Sequence, residues 1–168
     1  MTLSIIPISE IPKEEDIIDT PLDDLDEIHD LFNKMVKICK DNGGVGLSAI
    51  QLGMPWKFFI VRYGINTDSE FFGNYINCDY YAKPDCPTLC STEGCLSFPG
   101  KNFAVNRYTD ISILGQSLIV NRNRKLELVN VNYNISDIDS IYLYVFQHEI
   151  DHQFGQKRLL CNIGKELP

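Results

Sequence analysis

The residue types best suited to chemistry stand together in His148-Glu149-Ile150-Asp151-His152. On a helix, positions i and i+4 lie about 40° apart around the axis, so both imidazoles can reach one metal ion. Glu149 lies about 100° from His148 and about 60° from His152, which lets it flank that ion. From there it can exchange a proton with a water without itself ligating. The competing reading is a set of polar residues on a solvated helix face. The neighbours argue against it. Ile141, Tyr144 and Val145 share the His148 side one and two turns earlier, and Ile138, Tyr142, Phe146 and Ile150 cover much of the rest. A helix apolar nearly all round is buried. Two buried histidines need partners, which a metal supplies.

A catalytic metal site needs a third ligand and an open position. Downstream of the motif the candidates are Cys161 and Glu166; upstream, Cys95 lies in the polar loop Glu93-Gly-Cys-Leu-Ser97. Spacing alone does not choose among Cys86, Cys90 and Cys95, nor does it exclude a downstream ligand of the kind zincin proteases use. A structural zinc on Cys86, Cys90 and other cysteines is a weaker option, because no CxxC pair exists.

The elements that must position these residues can be read coarsely. Residues 1–20 are rich in Pro and acids and read as an extended entry. Thr20 caps an expected first helix, with Pro21 in its first turn and Asp23 three residues after the cap. Leu22, Leu25, Ile28, Phe32, Met35 and Cys39 form its apolar stripe, and Asn42-Gly43-Gly44 ends it. Residues 57–63 (KFFIVRY) and 70–77 read as strands. Residues 78–100, with three prolines and four cysteines, read mostly as loop and edge. Residues 111–120 and 126–135 flank Asn121-Arg-Asn-Arg124 as a hairpin. The metal-motif helix is expected from about Asp137 to near Gly155, capped by Ser136 with Asp139. The class is α+β: small mixed or antiparallel sheets around a central helix, with an amphipathic N-terminal helix, all in one domain over 1–168.

Composition narrows the partners. The 168 residues carry 15 Lys+Arg against 23 Asp+Glu, a net charge of −8. That balance argues against a specific nucleic-acid binder. No apolar run is long enough to span a bilayer, and no secretory signal is visible, so reduced cysteines and a cytoplasmic setting are expected.

Three segments together resemble a known family. Gly44-Val-Gly-Leu-Ser-Ala-Ile-Gln51, Glu93-Gly-Cys-Leu-Ser97 and Gln147-His-Glu-Ile-Asp-His-Gln-Phe-Gly155 are similar, in order, to the three motifs of peptide deformylases. The resemblance implies a metal held by Cys95, His148 and His152, typically Fe(II), with Zn(II) or Ni(II) able to occupy the site. It implies Glu149 as general base and acid, and Gln51 with the backbone N–H of Leu96 as oxyanion donors. The implied substrate is an N-formyl-methionyl nascent peptide, and formate is released. Val45, Ile141, Tyr144 and Val145 are then candidates for a methionine pocket, although the same residue types serve an ordinary core. Gly46 and Gly94 would give the substrate backbone close access. The family pattern also pairs Glu93 with Arg107.

Departures from the family are visible. Ser48 replaces a common alanine, Asn77-Cys78 a common Asn-Pro, and Gln156-Lys-Arg-Leu-Leu160 the usual stretch after the third motif. Thirteen residues follow Gly155, and the long C-terminal helix of many bacterial members is absent. These features raise the expectation of a short, divergent or phage-borne form acting in its host's cytoplasm. They also imply weak or no docking to the ribosome. The rival reading is a zincin-type metalloprotease using the same helix.

Overall fold

Strand β2 (Phe58–Tyr63) explains the layering of the molecule, because both of its faces are buried. Phe58 and Ile60 point to one core cluster, Phe59 and Val61 to another. A continuous apolar run is what a strand covered on both sides needs. In the computed structural model, which describes residues 3–155, the elements run α1 (Leu25–Asp41), β1 (Gly46–Ser48), β2, β3 (Phe71–Ala82), β4 (Thr88–Cys95), β5 (Phe98–Tyr108), β6 (Ile111–Val120), β7 (Leu126–Ile135) and α2 (Ile141–His152). A five-stranded antiparallel sheet has the order β1-β2-β3-β6-β7, and β4 pairs with β5 as a separate two-stranded sheet.

α1 and α2 cover opposite faces of the larger sheet. Ile28, Leu31, Met35 and Cys39 of α1 pack with Phe58, Ile60, Ile76 and Leu118. Leu143, Phe146 and Ile150 of α2 pack with Phe59, Val61, Tyr75 and Ile113. The expected stripe of α1 is therefore core from Leu25 onward, while Leu22 lies outside the helix and is exposed. No helix among the described residues is long and apolar enough to cross a membrane.

Three sequence expectations are corrected. First, α1 is capped by Asp24, whose side chain accepts from Glu27 N at 2.9 Å, and not by Thr20. Thr20 is buried with its N–H on Asn77 Oδ1 at 2.7 Å. A carboxylate at the positive end of the helix makes the better cap. Second, α2 begins at Ile141 after Ser140, not near Asp137. Asp137 Oδ1 accepts from Asp139 N at 3.1 Å and closes a local turn that competes with helix. Third, residues 78–100 are largely strand. Strand β3 continues to Ala82, and β4 and β5 form a hairpin. The expected helix stop at Asn42-Gly43, the strand at 57–63 and the hairpin at 111–135 are present as read. Cys161, Glu166 and residues 156–160 lie outside the described residues.

Burial separates the cysteines chemically. Burial pushes the thiols of Cys39 and Cys78 up to about 12, with nearby Glu149 adding to the effect at Cys39. Cys90 is exposed. Alkylation of the native protein, mapped by mass spectrometry, should label Cys90 first. Cys39 and Cys78, buried and with raised pKa values, should stay largely unlabelled until the chain unfolds. Equal native-state labelling of Cys78 and Cys90 would contradict this.

Candidate metal centre and active site

α2 brings two of the expected ligands together, and the end of β4 brings the third. His148 Nε2 and His152 Nε2 are 3.2 Å apart, and Cys95 Sγ is 3.4 Å from His152 Nε2. All three donor atoms lie within 4.8 Å of one another. Donors bound at about 2.0–2.3 Å to one tetrahedral ion stand roughly 3.3–3.6 Å apart. The spacing and the donor set, one thiol and two imidazoles, therefore fit a metal ion. Cys95 and His152 are buried and His148 is nearly so. Among the described residues this is the only such cluster of three. Among the described residues no comparable group forms around Cys86 and Cys90.

The imidazoles are prepared for ligation by their surroundings. Glu93 Oε2 lies 2.9 Å from His148 Nδ1. An ionised carboxylate only accepts, so Nδ1 carries a proton and a metal would bind at Nε2. Burial opposes a charge on this ring, but the hydrogen bonds with Cys95 and Glu93 outweigh it and raise the His148 pKa. Without a metal the ring is therefore charged, and it gives up its Nε2 proton on ligation. Burial, followed by the charges of His148 and Arg107, lowers the His152 pKa and keeps that ring neutral. Burial opposes the charge of Glu93, but the hydrogen bonds from Arg107 and His148 outweigh it and hold the carboxyl down at about 2. Arg107 grips both Glu93 oxygens at 2.8 and 2.7 Å and reaches Asp151 with its third nitrogen. The Glu93–Arg107 pair is thus present as the motif pattern implied.

Glu149, next to His148 on the helix, is in a different state. Its Oε2 is buried without a hydrogen-bond partner. Burial pushes its carboxyl up to about 7; the charge of His148 opposes the shift and that of Glu93 adds to it. Space for this side chain comes from Gly46. A Cβ at that position would stand 2.5 Å from Glu149 Oε1. Gln51 is buried in a 3-10 turn after β1 (Ala49–Leu52), and its Oε1 is pinned by Ser48 N at 2.9 Å. Its Nε2 is aimed at Cys95 Sγ, 3.5 Å away, and at Ser97 Oγ, 3.3 Å away.

A cavity of about 870 Å³ opens on this group. Its wall includes Val45, Ile141, Tyr144, Val145, Gly94 and Leu96. Every site residue that the three motifs imply lines it except His152, whose Nε2 is turned toward His148. Cys86 and Cys90 do not line it. A Cβ on Gly94 would meet only ordinary contacts, the nearest at 3.5 Å, so the space beside it belongs to the cavity.

The sequence matches the family described as polypeptide deformylase over residues 8–159. The chain belongs to the polypeptide deformylase family. It is 32% identical over 146 residues to the peptide deformylase of Bartonella bacilliformis, covering 82% of this chain and 73% of that one. It is 32% identical over 135 residues to peptide deformylase 1 of Clostridium perfringens, covering 80% and 81%. The fold is that of the peptide deformylase crystal structure from Thermotoga maritima, with a TM-score of 0.69 at 22% identity, covering 98% of this chain and 99% of that one. The chain is accordingly a metal-dependent hydrolase that removes the N-formyl group from nascent peptides. The protease alternative is not favoured.

Sequence reasoning missed Asp151, Ser97 and Tyr80. Asp151 receives no role from the sequence, yet it is fully buried and bonded to Arg107 and to Tyr80 Oη. The available signal is a second acid, besides Glu149, on a helix otherwise read as core, since a buried charge requires a partner.

Proposed function

We propose that Cys95, His148 and His152 hold the metal and that Glu149 moves the proton in deformylation. The observation that carries this reading is the convergence of three donors beside a buried, unpartnered carboxyl at the floor of a cavity. The chemistry supplied by the metal when bound is Lewis-acid polarisation of the formyl carbonyl and of a water. Glu149, near neutrality in its titration, accepts a proton as water adds to the formyl carbon. It returns that proton to the amine nitrogen as the C–N bond breaks, leaving formate and a free α-amino group. Gln51 Nε2, held in place through its own Oε1, and the Leu96 N–H donate to the oxygen where negative charge grows. Val45, Ile141, Tyr144 and Val145 receive the methionine side chain, and Gly46 and Gly94 admit the peptide backbone.

Fe(II) is proposed as the native metal, with Zn(II) or Ni(II) able to replace it. A mixed thiolate and imidazole set suits all three. Anaerobic purification with metal analysis, followed by formate release from a formyl-Met peptide, tests the assignment. Cys95→Ala should lose both metal and activity. Retention of stoichiometric metal in that variant would revive a downstream third ligand. Iron-loaded protein should lose activity in air and keep it under argon, because the ferrous ion and its thiolate both oxidise.

The protein is further proposed to meet nascent chains by diffusion. Its net charge is −8, and residues 10–30 are dominated by Asp and Glu with Lys13 as their sole Lys or Arg. Ribosomal RNA attracts basic surfaces. Sedimentation with empty ribosomes at about 0.15 M salt, where the Debye length is roughly 8 Å, should leave the protein in the supernatant. Stoichiometric, salt-resistant pelleting would refute the proposal.

A further inference from the structure

The polar groups around Arg107 form a continuous chain across four elements. Tyr80 Oη on β3 donates to Asp151 Oδ1 at 3.1 Å, and Asp151 Oδ2 accepts from Arg107 Nη1 at 2.5 Å. Arg107, on β5, holds both oxygens of Glu93 on β4, and Glu93 Oε2 accepts from His148 Nδ1. Asp151 is fully buried and Arg107 nearly so. We propose that Tyr80 is a positioning residue for deformylation: its hydroxyl fixes the plane of the Asp151 carboxylate and, through Arg107 and Glu93, the orientation of the His148 ring.

The physical argument is one of torsions. The terminal torsion of Asp is broad and roughly two-fold, so each added bond to a carboxylate oxygen narrows it. Bonds to its two oxygens from different strands define its plane. The guanidinium is rigid and planar, so its tilt passes to Glu93 through two parallel bonds. Glu93 in turn sets both the tautomer and the direction of His148. Glu93 and Arg107 lie on the small sheet, whereas Tyr80 lies on the large one. The Tyr80 bond therefore ties the hairpin's polar network to the sheet against which α2 packs. Tyr80→Phe removes only the hydroxyl and keeps the ring, including its contact with Tyr108 at 6.3 Å between centroids.

The inference rests on the reading of His148 as a ligand, and the experiment separates the two. Wild type, Tyr80→Phe, Tyr108→Phe and His148→Ala are loaded with Co(II). Each is compared by its visible d–d band, by chelator competition for the metal, and by kcat and KM. Tyr80→Phe should shift the band and lower Co(II) affinity and kcat about three- to tenfold with KM unchanged, a smaller effect than the 10–100-fold expected for a direct partner of a ligand. Tyr108→Phe should behave as wild type. An unaltered band and affinity in Tyr80→Phe overturns the proposal, even if the melting temperature falls, and so does a loss of kcat without a spectral change. Retention of the full wild-type band by His148→Ala overturns the ligand reading and this inference with it.

Discussion

Glu149→Gln should keep its metal and lose about 10²–10⁴-fold in kcat. The substitution preserves shape and volume, and Glu149 is not among the three converging donors. It removes only the ability to hold and return a proton. The same variant should melt at or above the wild-type temperature. Glu149 Oε2 is buried with no partner, and its elevated pKa is the sign of a charge held in an unfavourable place. An amide there relieves that penalty, as is common where a site is strained for function. Metal analysis, formate release and calorimetry on one preparation check all three statements. Turnover near the wild-type rate would remove Glu149 from the mechanism.

Arg107→Met should be the most destabilising of the substitutions considered. It leaves the carboxylates of Glu93 and Asp151 facing each other in the interior without their shared cation. Breaking a buried pair in this way costs about 3–5 kcal/mol. Each kcal/mol lowers the melting temperature of a domain this size by roughly 2–4 °C. The deficit should depend on pH. In the wild type Glu93 titrates at about 2 against an ordinary 4.5, so its stabilisation is complete above pH 4.5 and fades as the pH falls toward 2. In the variant Glu93 loses its cation while its burial still opposes the charge, and that penalty fades as the carboxyl protonates. The gap between the two proteins should therefore be widest near neutrality and narrow in acid. A gap independent of pH would show that Arg107 contributes packing rather than charge.

The parts of the site that the sequence makes legible are the local ones. His148, Glu149 and His152 follow from helical spacing within five residues. Cys95 does not, since Cys86 and Cys90 have equal claim until the order of the three motifs is considered. Leu96 and Gln51 likewise depend on that order. The network behind the ligands is illegible because its partners are far apart in the chain, 44 residues from Arg107 to Asp151 and 71 from Tyr80 to Asp151. The β4–β5 hairpin escapes notice for a different reason. Most of β4 is exposed or half-buried and mixes Thr, Ser, Cys and Gly, so no apolar period marks it. Both helix starts are misplaced by about four residues because several Ser, Thr and Asp side chains compete to cap.

The central place of α2 has a consequence for synthesis. One face of the large sheet packs on Leu143, Phe146 and Ile150, and these residues are translated after every strand that they cover. Strand β7 ends at Ile135, and the second histidine comes at His152. At about 5–20 residues per second, the finished strands wait roughly one to three seconds for the helix that buries them. During that interval Phe59, Val61 and Ile113 have no cover, and the exit tunnel still holds the segment that will supply it. The enzyme that trims newborn chains is thus, in its own birth, a sheet waiting for the helix that covers it.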